Sequence, residues 1–368
     1  MTSEEIKGNT SESTSCHTCG GSMTYKPNVA ALVCKYCGTE KQLKKEESTL
    51  NELDFLHFAQ RFQGENYPIT KVIICSKCQA KSIAPEIIKS MACLYCKSPL
   101  VEKDIHEERY IRPQYIAPFD FEEDQAKAIF NHWIKNLPNL PKKMKRGRLT
   151  TQKITGVYVP FWTYDMHASS EFTGERGLVY YETIGDNNNK REVRRVAWTH
   201  VKGNFFNFYD DILIAGTKSL KSDLVLQLSS FWDLKKLQPI QPDYLTGFIT
   251  EKYQIDLQNA FSQAKSSVPY SQRDLAERQI GGDEQRIYQV DTTLSNITFK
   301  HILLPLYVSY FTYKNKHYSF YINGVNGKIV GEYPQSKLKL IIAHIITSII
   351  MGLIIWFIVY VFINLNNK

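Results

Sequence analysis

All eight cysteines stand in CxxC pairs: Cys16 with Cys19, Cys34 with Cys37, Cys75 with Cys78, and Cys93 with Cys96. Fourteen residues separate Cys19 from Cys34, and fourteen again separate Cys78 from Cys93. One CxxC-x14-CxxC unit therefore occurs twice, with no cysteine left over. Each CxxC bends so that two thiolates face one ion, and two such knuckles close a tetrahedral Cys₄ site. Gly20 and Gly38 follow knuckle cysteines and can take the positive φ that such a turn needs. The pattern predicts two zinc ribbons, each built around one structural Zn²⁺. The ligands are Cys16, Cys19, Cys34 and Cys37 in the first, and Cys75, Cys78, Cys93 and Cys96 in the second. A closed tetrathiolate leaves no open coordination position, which argues against a catalytic ion. Disulfides would need an oxidising compartment, and a redox CxxC stands alone at a helix N-terminus. An iron–sulfur cluster on the same thiolates is the remaining alternative. His17 lies inside a knuckle but is surplus to four thiolates, so it reads as an exposed non-ligand.

No other chemistry has a motif. The chain lacks GxxxxGK[ST], GxSxG, HExxH and GxGxxG, and its nine histidines are scattered. The expectation is a protein that is not an enzyme, with no catalytic residues and no small-molecule substrate. The clearest charge feature is the run Lys142, Lys143, Lys145, Arg146 and Arg148. A solvated loop is its simplest reading. Anionic lipid headgroups and nucleic-acid phosphate are the two functional readings.

These motifs sit in a chain of 368 residues with a formal charge of +8 and 43% hydrophobic residues, which excludes a wholly disordered protein. Residues 1–15 are polar and read as a disordered leader. The first ribbon spans 16–40, a linker with a short helix spans 41–70, and the second ribbon spans 71–101. In the linker, Phe55, Phe58, Ala59 and Phe62 recur at helical spacing.

Residues 113–335 predict one mostly antiparallel α+β domain. It opens with a helix after Asp120, with Ala126, Ile129, Phe130, Trp133, Ile134 and Leu137 on one face and Pro138 as its stop. A second helix follows Asp256. Segments 156–164 (GVYVPFWTY) and 302–311 (ILLPLYVSYF) share a pattern and hint at a pseudo-symmetric sheet; each proline suggests a strand start or a bulge. Residues 186–189 read as a hairpin tip. Lys316–Val330 reads as strand, turn and strand, and resembles the closing hairpin of PepSY-type modules.

From Leu340 to Ile363 the chain carries no formal charge over 24 residues. As a helix that stretch would be about 36 Å long, enough to cross a bilayer core of about 30 Å. The fold-class expectation is thus α+β, with two N-terminal Cys₄ ribbons and one C-terminal transmembrane helix. Lys328, Lys337 and Lys339 flank it on one side and Lys368 on the other. The positive-inside rule then places the N-terminal bulk in the cytoplasm of a single-pass, tail-anchored cell-membrane protein.

The ribbons, the VPFW and LPLY segments, the NGVNGKIVGEYP hairpin and the apolar C-terminal segment together resemble the TFIIB-type zinc-ribbon membrane proteins of Firmicutes, the YdjG-like group. The resemblance implies an adaptor in the membrane that recruits phage-shock or SPFH-type proteins. The ribbon cysteines carry over as metal ligands; no partner-contacting residue does. The expected function is a membrane-anchored zinc-ribbon scaffold whose partners are the bilayer and other membrane or membrane-associated proteins. A membrane-tethered nucleic-acid binder is the alternative.

Overall fold

The structure, a computed structural model, describes residues 15–43, 50–61, 69–83, 91–93, 95, 98–100, 102–141, 144, 153–185, 190–336 and 347–357. The first ribbon is an antiparallel sheet of β1 (Met23–Lys26), β2 (Ala31–Cys34) and β3 (Glu40–Gln42), so its pairing runs two residues past the expected boundary at 40. Short β4 (Leu53–Asp54) and helix α1 (Phe55–Arg61) follow. In the second ribbon β5 (Ile69–Ile74) lies between β6 (Lys81–Ile83) and β9 (Ile105–Arg109), while β7 (Met91–Ala92) pairs with β8 (Pro99–Leu100).

The remainder is built on three long strands. β10 (Tyr115–Ile116) and helix α2 (Glu123–Asn136) lead into β11 (Thr155–Ile184) and β12 (Arg191–Ala215). Helix α3 (Ser222–Ser229), β13 (Gln238–Pro239), β14 (Ile249–Thr250) and helix α4 (Leu257–Ile280) come next. β15 (Glu284–Tyr313), β16 (Lys316–Asn323) and β17 (Ile329–Gly331) complete a nine-stranded sheet whose main path is β12-β11-β15-β10-β13. At about 3.3 Å per residue, the 30-residue β11 is about 100 Å along its contour.

Composition explains why one strand has two regimes. Residues 157–166 of β11 (VYVPFWTYDM) are all buried, because both faces of the sheet are covered there. On one face Val157, Val159 and Phe161 pack with Leu224 and Leu228 of α3. On the other, Tyr158 packs with α2 and the first ribbon, and Trp162 and Tyr164 pack with α1 and α4. Beyond Met166 burial alternates, since α4 covers one face only. Its small residues Ala260, Ala264, Val268 and Ala276 are buried along that face, out to Phe172 and Phe205. The three strands form an arm whose other face is bare, and past Gly177 only β11 and β12 continue.

Segments 156–164 and 302–311 turn out to be each other's antiparallel partners: Tyr158 pairs with Pro305, and Pro160 with Leu303. Neither proline starts a strand or forms a bulge. Each sits where a neighbouring ladder changes hands. The Pro160 carbonyl accepts from Gly216 just past β12, and the Pro305 carbonyl accepts from Gly324 just past β16. A missing N–H is tolerated at such a seam.

Helix α2 starts later than its sequence suggests. Its N-cap is Glu122, not Asp120; the Asp120 N–H donates to Gly324 O at 2.9 Å, tying that residue to the turn after β16. Asp256 does cap α4, its Oδ1 accepting from Asn259 N at 2.8 Å.

The expected membrane span is corrected. Among the described residues, no helix is long and apolar enough to cross a membrane. Within 340–363 the described part is helical only over 347–357, about 16 Å of rise against a core of about 30 Å. Residues 1–14, Phe62, the hairpin tip 186–189 and the rest of the C-terminal segment lie outside the described residues.

The fully buried Trp162 anchors the middle of the sheet, stacking on His301 at 4.3 Å and donating its indole N–H to Ile255 O at 2.9 Å. Trp162→Ala should therefore cost about 3–5 kcal/mol of stability, read as a lower urea midpoint.

Candidate metal centres

In the first ribbon the four Sγ atoms lie within 4.8 Å of one another. Cys16 and Cys37 are 3.5 Å apart at sulfur, as are Cys19 and Cys34. Bonds of about 2.3 Å from one tetrahedral ion would set sulfurs about 3.8 Å apart, so an ion fits with little adjustment. The knuckles form as their glycines require: Gly20 and Gly38 have φ of 71° and 74°, and each donates its N–H back to the carbonyl of the cysteine that opens its turn, Cys16 or Cys34. Each CxxC presents one buried and one exposed sulfur, with Cys16 and Cys34 inside.

Electrostatics also call for a cation. Burial pushes the Cys16 thiol up, but the backbone N–H groups of Cys19 and Thr18 outweigh it and bring it to about 5. The Thr39 hydroxyl and N–H hold Cys37 below the ordinary thiol range. Cys19 goes the other way: the Gly21 N–H lowers it, yet the sulfurs of Cys37 and Cys34 push it up to about 12. Four thiolates this close repel one another, and a divalent ion removes the conflict.

The second ribbon repeats the arrangement with Cys75, Cys78 and Cys93, whose sulfurs also group within 4.8 Å. Cys78 and Cys93 are 3.4 Å apart. Cys96 lies outside the described residues, as do Lys142, Lys143, Lys145, Arg146 and Arg148. Both cysteine clusters can hold a metal ion. His17 is exposed.

Both ribbons are docked on the α+β domain. Tyr25 of β1 is buried against Tyr244 and Phe248, and its hydroxyl donates to Phe119 O at 3.2 Å. From the second ribbon, Tyr95 donates its hydroxyl to Glu251 at 2.8 Å. Glu251 is fully buried, also accepts from Thr217 at 2.6 Å, and is pushed up to about 7 by its burial.

A third cluster joins Glu52, Asp165 and Asp211, but the ammonium of Lys300 already fills it, 2.5 Å from Glu52 and 2.8 Å from Asp211. Burial and the Glu52 carboxylate push Asp165 up to about 7. Neither this cluster nor Glu251 has a local signal in the sequence. Each is assembled from residues more than 30 positions apart, so spacing could not reveal it. A cavity of about 500 Å³ opens between the first ribbon and the domain beside Tyr25, Trp232 and Tyr244; its lining includes Asp120, Asp233 and Lys236, so it favours no ligand charge.

These features define a double cysteine-ribbon protein with both candidate metal centres docked on one α+β body. Across 232 residues the chain is 24% identical to an uncharacterized protein, YdjG, of Bacillus subtilis (strain 168). The match covers 62% of this chain and 66% of that protein, a little under two thirds of its length. No family model matches. No solved structure matches either.

Two outcomes follow from these centres. Cys34→Ser should lower the bound metal from two ions per chain to one and lower the melting temperature, read by elemental analysis and calorimetry. Glu251 carries a folded pKa above its unfolded value, so its contribution to stability is full below the ordinary carboxylate range and is lost as pH rises through about 7. Stability should therefore fall from about pH 4.5 to about pH 7 and level off above that. Glu251→Gln should flatten that fall in denaturant titrations.

Proposed function

We propose that this protein is a zinc-ribbon adaptor that holds partner proteins on its extended sheet. Zinc is the ion proposed, because tetrahedral sites made wholly of thiolate suit it and offer no open position for chemistry. A ligand set made of thiolates suits a reducing compartment. The partner classes carried from the sequence resemblance are phage-shock and SPFH-type proteins.

The observation that supports this reading is the arm. Its bare face carries large apolar side chains that a soluble surface normally avoids. Phe206 is 80% exposed, and Phe208, Tyr181 and Tyr288 are exposed too. Phe208 stands opposite His167, Phe206 opposite Ser169 and Arg194 opposite Tyr181, so alternation puts them all on the face away from α4. β12 is also an edge strand, pairing with β11 alone among the described residues. Aromatic side chains on a rigid support are the usual anchors of a protein interface.

Cross-linked affinity purification of the tagged, full-length protein would test this beside Phe206→Asp/Phe208→Asp. The arm variant should lose specific protein partners while keeping two bound ions. An unchanged partner set would sink the proposal. Capture of nuclease-sensitive DNA or RNA in place of protein would turn the reading to a nucleic-acid binder.

A further inference from the structure

We infer that the two ribbons take up metal cooperatively, and that the segment from Tyr244 to Gln254 couples them. These eleven residues run from one ribbon to the other. At the first ribbon, Tyr25 N donates to Thr246, at 3.1 Å to its carbonyl and 3.0 Å to its hydroxyl. Phe248 wedges between Tyr25 and Phe119, stacking on the latter at 4.2 Å. Asp243, one residue before the segment, pairs with Lys41 at 3.3 Å.

At the second ribbon the contacts are denser. Glu251 bridges Ser82 and accepts from Tyr95. Lys252 donates its N–H to Lys81 O at 3.0 Å and its ammonium to Glu108 at 2.5 Å. Gln254 donates to the carbonyl of Gln79 at 2.7 Å, and Gln79 directly follows the knuckle residue Cys78. Between the two sets, β14 and the Glu251 N–H pair the segment with β11, and Phe248 and Tyr253 pack on its Tyr158 and Trp162.

Small ribbons obtain their folding energy from the metal. A ribbon without its ion therefore offers no formed surface for this strap. Thr246 then loses its donor at one end, or Glu251 loses the Tyr95 hydroxyl and Lys252 loses its acceptors Glu108 and Lys81 O at the other. Loading one ribbon orders the strap, and the second ribbon then docks on a surface whose ordering entropy is already spent. The coupling is positive, and linkage requires it to be equal in both directions. It stands apart from the adaptor reading, because it concerns metal and not partners.

Competition of Zn²⁺ between the full chain and a chromophoric chelator tests it. Three forms are compared: wild type, Cys16→Ser/Cys19→Ser and Cys75→Ser/Cys78→Ser. Each is made with and without two glycines inserted between Gly247 and Phe248. Without the insertion, each intact ribbon should bind Zn²⁺ about tenfold more weakly when its neighbour cannot load, within the range typical of coupled sites. The factor should be the same for both ribbons. With the insertion, each ribbon should bind with an affinity that ignores the other. Should the insertion fail to fold, Thr246→Val/Gln254→Ala should shrink the factor in the same assay. Unchanged affinity of the intact ribbon in either Cys→Ser chain overturns the inference, as does a coupling that survives the insertion undiminished. Fewer than two ions on the wild-type chain overturns it together with the metal centres, and stoichiometry tells the two failures apart.

Discussion

The ladder between β11 and β15 positions the rest of the molecule. It runs from Thr155 opposite Val308 to Gly177 opposite Glu284, and helices α1 to α4 pack on the faces that it defines. Side chains alternate along it, so a slip of one residue would exchange Trp162 for Thr163 and move the aromatic layer to the opposite face of the sheet. Register is held at the base by burial on both faces. Further out it is held by one face and by irregularities: shifts between Asp165 and His167 and between Thr173 and Gly174, with Asp211 and Asn296 in the left-handed region at φ of 53° and 48°. These positions mark where the doubly covered sheet becomes a singly covered arm.

A charged cluster occupies that same boundary. On the face lined by Val157, Val159 and Phe161, the next two inward positions are Thr163 and Asp165, and Lys300 stands opposite Thr163. An apolar layer ending in open solvent would leave its last residues half wet. Here Lys300 is held by Glu52 and Asp211, while Thr298 donates to Glu52. The cluster therefore ends the layer with groups that hydrogen-bond one another. A buried ion pair of this kind adds little net stability, but it is costly to break, which favours one arrangement of β4 against β15 over its alternatives.

How much of this could be read from the residues depended on how local the cause was. The cysteine spacing carried both ribbons, because a knuckle is made by four consecutive residues. The cap at Asp256 was equally local. The apolar and aromatic run over 156–164 marked a strand, but its burial on both faces came only from the structure. Its 30-residue length did not show, since a strand has no local stop where only its covering partner ends. Pro160 and Pro305 misled for the same reason: a proline warns of a lost ladder bond, and only the pairing reveals that each lies at a seam. The C-terminal apolar stretch was legible as composition, and among the described residues it forms a helix over 347–357. The buried Glu251 and the Lys300 cluster are long-range assemblies that no pattern within one element announces.

The docking of the ribbons changes what their metal centres do. A freestanding ribbon has a metal on the inside and water on the outside, and losing its ion unfolds some thirty residues. Here β1 supplies Tyr25 to the same aromatic layer as Phe119 and Tyr158, so an ion at Cys16 and Cys34 would also hold part of the main core in place. Likewise Tyr95, in the knuckle between Cys93 and Cys96, brings its hydroxyl to Glu251, a carboxyl that could not stay buried without donors. The ligands thus support interfaces as well as local turns. A structural metal placed between a small module and a large one turns metal loading into a condition on their joint geometry. The arm, rooted in the β11–β15 ladder behind those interfaces, receives its orientation relative to the ribbons through the same contacts.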